Sequence, residues 1–250
     1  MIDRGYSRQI LQFGGWIMVS SIIMFMASNL DRLLLGKAAP LALLGMYGLA
    51  RTMADIPATM ARRLGFQIIF PMLADAKSRG DDDMIHNVAP SRLKLVLLAA
   101  TVIGVGISTA DWAISILYDH RYAEAGWMLS LLLFGTWISI LSNFNEALLL
   151  GAGRPAYESG ANVLRFSILG GGLWFGYGRA GFAGAIAAMF LAEVSRYLFV
   201  HFGQRRERLS FVKQDLTATG ALILVVLCLV GARLALGLGS PWTLWPGLPR

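Results

Sequence analysis

The chain has 250 residues, 56% of them hydrophobic and 15% charged, and a formal net charge of +7. That apolar share exceeds what a soluble core absorbs and points to a protein of the membrane. The Lys and Arg residues gather in the connections between apolar stretches, where the positive-inside rule puts them, so the basic balance gives no reason to invoke nucleic acid.

A helix that crosses a bilayer needs about 20 mainly apolar residues. On that measure, spans are expected at Leu11 to Leu34, Leu41 to Phe66, Leu93 to Leu117, Ala125 to Leu150, Tyr157 to Gly176, Gly181 to Phe202 and Leu216 to Leu238. The first outruns a signal-peptide core and has no small-residue cleavage site, so it reads as a spanning helix. Arg51, Asp55 and Pro57 interrupt the second, where Pro57 predicts a kink, not a break. The longest connection, Pro71 to Arg92, holds Gly80 followed by Asp81, Asp82 and Asp83, and reads as a solvated cytoplasmic loop with one interfacial helix.

The later connections are short. Gly151 to Pro155 forms a tight inner turn, with Gly free to take positive φ and Pro opening the next helix, and Gly176 to Gly181 forms the outer one. Gly172 with Gly176, and Gly184 with Ala188, have the spacing of close helix packing. Trp16, Trp112, Trp127, Trp174, Trp242 and Trp245 fall near span ends, where amphipathic rings anchor helices at the membrane surface.

The expected fold is an all-α integral membrane protein: a single transmembrane domain over residues 1–250, made of one bundle of about seven helices. A cytoplasmic N-terminus places Arg4, Arg8, Arg62, Arg63, Lys77, Arg79, Arg92, Lys94, Arg154, Arg205, Arg206, Arg208 and Lys213 inside. The opposite side keeps only Arg32, Lys37, Arg121, Arg179 and Arg250, which favours that orientation and an outer C-terminus.

Ionisable residues inside spans are costly in lipid and face a partner or a watery path. Asp31, Arg51, Asp55, Glu146, Arg165, Glu193 and Arg196 are of this kind. Glu158, Asn162 and Arg165 recur at i, i+4 and i+7, one stripe of a helix. Arg51 with Asp55, and Glu193 with Arg196, have the spacing of intrahelical ion pairs. Asn143, Asn145 and Glu146 break the fourth span, and the whole set suggests a polar interior shared by several helices. Asp31 and Arg32 fit either the outer mouth of the first helix or a gating role. Glu193 and Arg196 read first as a structural pair, whereas Arg51 and Arg165 lie deep in their spans. Guanidinium stays charged and matches phosphate oxygens, so these two are candidates for substrate contact, with local pairing the competing explanation.

Nothing in the sequence points to catalysis or a cofactor. The nucleotide-binding G-x-x-x-x-G-K-[ST], H-E-x-x-H and G-x-S-x-G patterns are missing. One cysteine, Cys228, allows no internal disulfide, and His86, His120 and His201 are too scattered to make a metal site.

Four segments, taken in order, carry a family resemblance: Phe13-Gly-Gly-Trp16, Asn29-Leu-Asp31-Arg32-Leu-Leu-Leu-Gly36, Gly45-Met-Tyr47-Gly-Leu-Ala50 and Phe70-Pro71. They resemble the opening of the second helical bundle in polysaccharide exporters, or lipid-linked oligosaccharide flippases, of the multidrug/oligosaccharidyl-lipid/polysaccharide superfamily. Leu150 to Pro155 and Gly178 to Ala185 are similar to later parts of that bundle. The resemblance implies a second lobe plus one terminal helix at about 216–238, where such exporters have two facing bundles of six. A missing N-terminal lobe, a split gene or a second subunit would complete the cavity.

What the resemblance implies is transbilayer movement of an undecaprenyl-diphosphate-linked glycan in the bacterial inner membrane, with membrane lipids around it. Residue chemistry then suggests Arg51 and Arg165 on diphosphate or acidic sugar, Asn145 and Asn162 on hydroxyls, and Asp31, Glu146 and Asp55 in coupling or gating. An ion-coupled drug or metabolite antiporter of the same superfamily is the alternative, as is a non-transporting partner in glycan assembly.

Overall fold

A computed structural model describes residues 18, 22, 25, 26, 29–36, 40–79 and 84–242, with backbone alone for 84–86 and 182. Residues 29–36 are helical (α1), and the remainder of the predicted first span falls mostly outside the described residues. Then follow α2 (Leu41–Leu64), a π-helical turn (Gly65–Ile69), α3 (Phe70–Ser78), α4 (Met84–Leu117), α5 (Ala125–Gly151), α6 (Ala156–Arg206) and α7 (Val212–Ala235). The architecture is all-α, as expected for a chain whose apolar segments must satisfy their backbone internally.

The second element runs on where a loop was expected. Pro57 is accommodated inside α2, and the chain stays helical through the π turn into α3. The widened turn has a local cause. Pro71 follows it in the first turn of α3 and brings no N–H, while the Phe70 N–H just before reaches back to the Gly65 carbonyl, an i to i+5 bond. The cytoplasmic-loop reading of Pro71 to Arg92 is thus corrected at both ends: α3 occupies its start, and α4 begins at Met84 with Pro90 inside it.

The fifth and sixth predicted spans are the two arms of α6. Between them Ala180 (φ −135°, ψ 19°) and Gly181 (φ 56°, ψ −136°) leave the helical region, and only glycine takes that second conformation cheaply. The arms then press together through their small residues. A Cβ added to Gly172 would come within 2.9 Å of the Ala188 Cβ, and Gly176 lies against the Gly184 backbone. In lipid no hydrophobic force pulls helices together, so this close approach is what packs the hairpin.

Helix α5 is the axis of the bundle, packed against α2, α4 and α6, while α7 lies outside against α4. Four described helices are long and apolar enough to cross a membrane: Asn87–Leu117, Ala125–Gly151, Ala183–Arg206 and Val212–Ala235. Their burial differs as their positions require, 72% for the most apolar window of α5 and 22% for that of α7. Trp127 departs from its expected place at the membrane surface, since the start of α5 packs it into the core, whereas Trp174 is exposed as anticipated.

Candidate functional site

Helix α2 and both arms of α6 meet the polar flank of α5 around a cavity of about 240 Å³. Helical spacing puts the polar groups there. Arg51, Asp55 and Arg62 project from α2, Ser139 and Asn143 from α5, Asn162 and Arg165 from one arm of α6, and Glu193 and Arg196 from the other. Asp31 comes from α1. Apolar groups, among them Leu132, Leu169, Ile186 and Met189, line the rest.

One chain of ion pairs ties the two arms of α6 to α5. Arg165 meets Glu193 at 2.7 Å, and Glu193 lies 3.6 Å from Arg196. Arg196 then grips Glu146 with two hydrogen bonds, Nε to Oε1 at 2.9 Å and a terminal nitrogen to Oε2 at 2.6 Å. It also donates to Asn143 Oδ1 at 3.0 Å and Ser139 Oγ at 3.3 Å. Such a planar fork is the arrangement for which Arg is suited and Lys is not.

A second cluster sits on the α1–α2 side. Arg51 is 3.3 Å from Asp55 and 3.8 Å from Asp31, and the Tyr47 hydroxyl donates to Asp31. At a third point Arg62 reaches Glu158 at 3.4 Å, joining α2 to the first arm of α6. Backbone carbonyls of α2 accept from α5 as well, Ala54 from Thr136 and Ala58 from Asn143, which fixes α2 at the rim.

Most of the predicted site residues come together here. Arg51, Arg165, Asn162, Asp31 and Asp55 line the cavity, and Glu146 lies beneath it in the grip of Arg196. Asp31 is only 2% exposed, so it is buried within the bundle. The Glu193–Arg196 pair exists, but each partner has a shorter contact with a different residue, so the local pair is one link of a longer chain.

Asn145 does not belong to the site. Two residues from Asn143 along α5, it points to the other side of the helix, where its carbonyl accepts from Arg92 at 2.7 Å and its amide donates to Asp215 at 3.0 Å. The expectation that Asn145 binds substrate hydroxyls is corrected on that ground.

Arg92 heads a network that sequence reasoning missed. It is fully buried, pairs with Asp215, donates to Gln214 at 3.0 Å and stacks over Phe211 at 4.9 Å, while the Tyr197 hydroxyl donates to Asp215 at 2.9 Å. Another missed pair closes the far end of the same two helices. Arg233 donates twice to Asp111, at 2.8 and 2.7 Å, and lies 4.1 Å over the Trp112 ring. A sequence signal existed: Arg92 and Asp111 on α4 are 19 positions apart, Asp215 and Arg233 on α7 are 18 apart, with the signs reversed. Two parallel helices with that pattern clasp at both ends.

Comparison with known proteins fits this geometry. The family model described as "Polysaccharide biosynthesis protein" matches residues 1–126. The teichuronic acid biosynthesis protein TuaB of Bacillus subtilis (strain 168) is 24% identical over 148 residues, covering 59% of this chain and 30% of that relative. The chain therefore spans less than a third of that curated relative's length. Among solved structures, a MATE protein in the bent conformation superposes with a TM-score of 0.62 at 21% identity, over 82% of this chain and 45% of the other. With the family's pattern over half its length, the chain belongs to the polysaccharide biosynthesis protein family, on a fold similar to that of a MATE protein.

Proposed function

We propose that this chain forms one wall of a transporter that carries the headgroup of an undecaprenyl-diphosphate-linked glycan from the inner to the outer leaflet of the bacterial cytoplasmic membrane. The observation that carries this reading is the polar cavity held between α2, α5 and α6. A sugar headgroup loses its water on entering hydrocarbon, and a lined polar cavity offsets that cost while the polyprenyl tail stays in lipid. The match to 45% of a MATE protein's length supports a second lobe facing this one, supplied by the same polypeptide or by another subunit.

In this reading Arg51, Arg165 and Asn162 contact the headgroup. Asp31, Asp55 and Glu146, each within reach of a guanidinium that lines the cavity or lies beside it, serve coupling or gating as the lobes rock. The N-terminus is cytoplasmic, which puts the Arg62–Glu158 contact toward the cytoplasm.

The test is complementation of a strain that depends on this protein for surface glycan. Arg51→Glu and Arg165→Glu each turn an attractive contact into a repulsive one, and each should abolish surface glycan at an unchanged protein level. Normal glycan display by both variants would overturn the transport role of the cavity.

A further inference from the structure

We propose that the cavity receives the uncharged, hydroxyl-rich part of the headgroup and leaves the diphosphate outside its wall. This inference rests on the transport reading above and adds which chemistry the wall recognises.

The first argument is charge. Among the described residues, four guanidiniums line the cavity, and every one has a carboxylate within 3.4 Å: Arg51 with Asp55, Arg62 with Glu158, Arg165 with Glu193 and Arg196 with Glu146. Asp31 adds a fifth acid at 3.8 Å from Arg51. The wall thus offers no surplus positive charge. At Arg165 and Arg196 a diphosphate could take the guanidinium only by displacing a buried carboxylate and leaving it without a partner, which is strongly unfavourable.

The second argument is hydrogen bonding. Asn162 is 3% exposed, lines the cavity, and makes no hydrogen bond to another described residue, so its amide keeps both a donor and an acceptor. Asp31 Oδ1 and Glu193 Oε2 are buried acceptors without a hydrogen bond among the described residues, and Arg51 Nε and Arg165 Nε are buried donors in the same condition. Spare acceptors beside spare donors ask for a group that can do both. A sugar hydroxyl donates and accepts, while an ionised diphosphate only accepts. Three of these unmade bonds, at the acceptors Asn162 Oδ1, Asp31 Oδ1 and Glu193 Oε2, could therefore never be satisfied by phosphate.

The experiment uses the full chain in lipid nanodiscs and three probes with one tail: bare undecaprenyl diphosphate, the same lipid carrying N-acetylglucosamine, and the same lipid carrying glucuronic acid. The N-acetylglucosamine lipid should bind at least about tenfold more tightly than either other probe, the size of one well-made polar contact. Asn162→Ala should reduce that preference. Glu193→Gln, which frees positive charge on Arg165 and Arg196, should strengthen binding of the bare diphosphate lipid by about tenfold. A gain of binding does not arise from misfolding. If the wild-type chain binds the bare or glucuronate lipid as well as the N-acetylglucosamine lipid, or if Glu193→Gln leaves the bare lipid unchanged, this inference is overturned and the transport reading stands. If no probe binds, both fall.

Discussion

Arg92 and Arg196 sit on opposite sides of α5, both almost wholly buried, and each holds a carboxylate together with an asparagine carbonyl from that helix. The asparagines are Asn145 for Arg92 and Asn143 for Arg196. The local chemistry is nearly the same. What differs is the surroundings: Arg196 borders a cavity with polar groups from four helices, while Arg92 is enclosed by α7, Phe211 and Tyr197 with no exposed surface. A buried charge in a membrane helix is therefore not evidence of a transport path by itself. The same pair of groups makes a clasp where it is sealed and a lining where it is open.

Breaking the sealed side should have the largest effect. Arg92→Ala leaves Asp215 buried and uncompensated, at a cost of about 3–5 kcal/mol, and unfolding in detergent should show that loss. Unchanged stability would mean that water already reaches Asp215, and the contrast with Arg196 would disappear.

Replacing both partners at once sharpens the comparison. Arg92→Met with Asp215→Leu removes the charges together, so stability should remain within about 1–2 kcal/mol of the original and glycan export should persist. Arg165→Met with Glu193→Leu should likewise fold but lose export, because its pair lines the cavity. Loss of export in both double variants at equal protein level would erase the distinction between clasp and lining.

A smaller effect than that of Arg92→Ala belongs to the Arg233–Asp111 clasp. Asp111 keeps 26% of its side chain exposed, so water takes over part of the role of Arg233 when it is removed. Arg233→Ala should cost about 1–3 kcal/mol, visible as a lower unfolding temperature, with export retained. A loss as large as that of Arg92→Ala would show that α7 is held mainly from its Arg233 end.

How far the sequence reveals this depends on which interactions are local. Span positions follow from runs of apolar residues, and the stripe Glu158, Asn162 and Arg165 follows from helical period, since both are read along one segment. The α6 hairpin shows in its glycines. Partner choice is less legible, because it depends on which helix lies alongside. Arg51 and Asp55 are correctly paired by spacing, whereas Arg165 finds Glu193 and Arg196 finds Glu146 only across the fold. Arg92 looked like a loop residue because Pro90 and the three aspartates before it mimic a connection, yet α4 starts upstream of both Pro90 and Arg92. Asn143, Asn145 and Glu146 read along the sequence as one polar break in the fourth span, although Asn143 and Asn145, two positions apart on a helix, face opposite ways.

Water is expected on one flank of α5 and not on the other, and two serines on that helix test it directly. Ser139 lines the cavity, and Ser130, nine positions before it and so on the opposite face, is fully buried and donates to the Ile107 carbonyl of α4 at 2.9 Å. In a Cys228→Ser background, Ser139→Cys and Ser130→Cys are near-isosteric changes whose reaction with a small water-soluble thiol reagent can be timed in membranes. Fast labelling at position 139 with none at position 130 is the predicted result. Equal rates at the two positions, or no reaction at 139, would contradict a wet cavity on that flank.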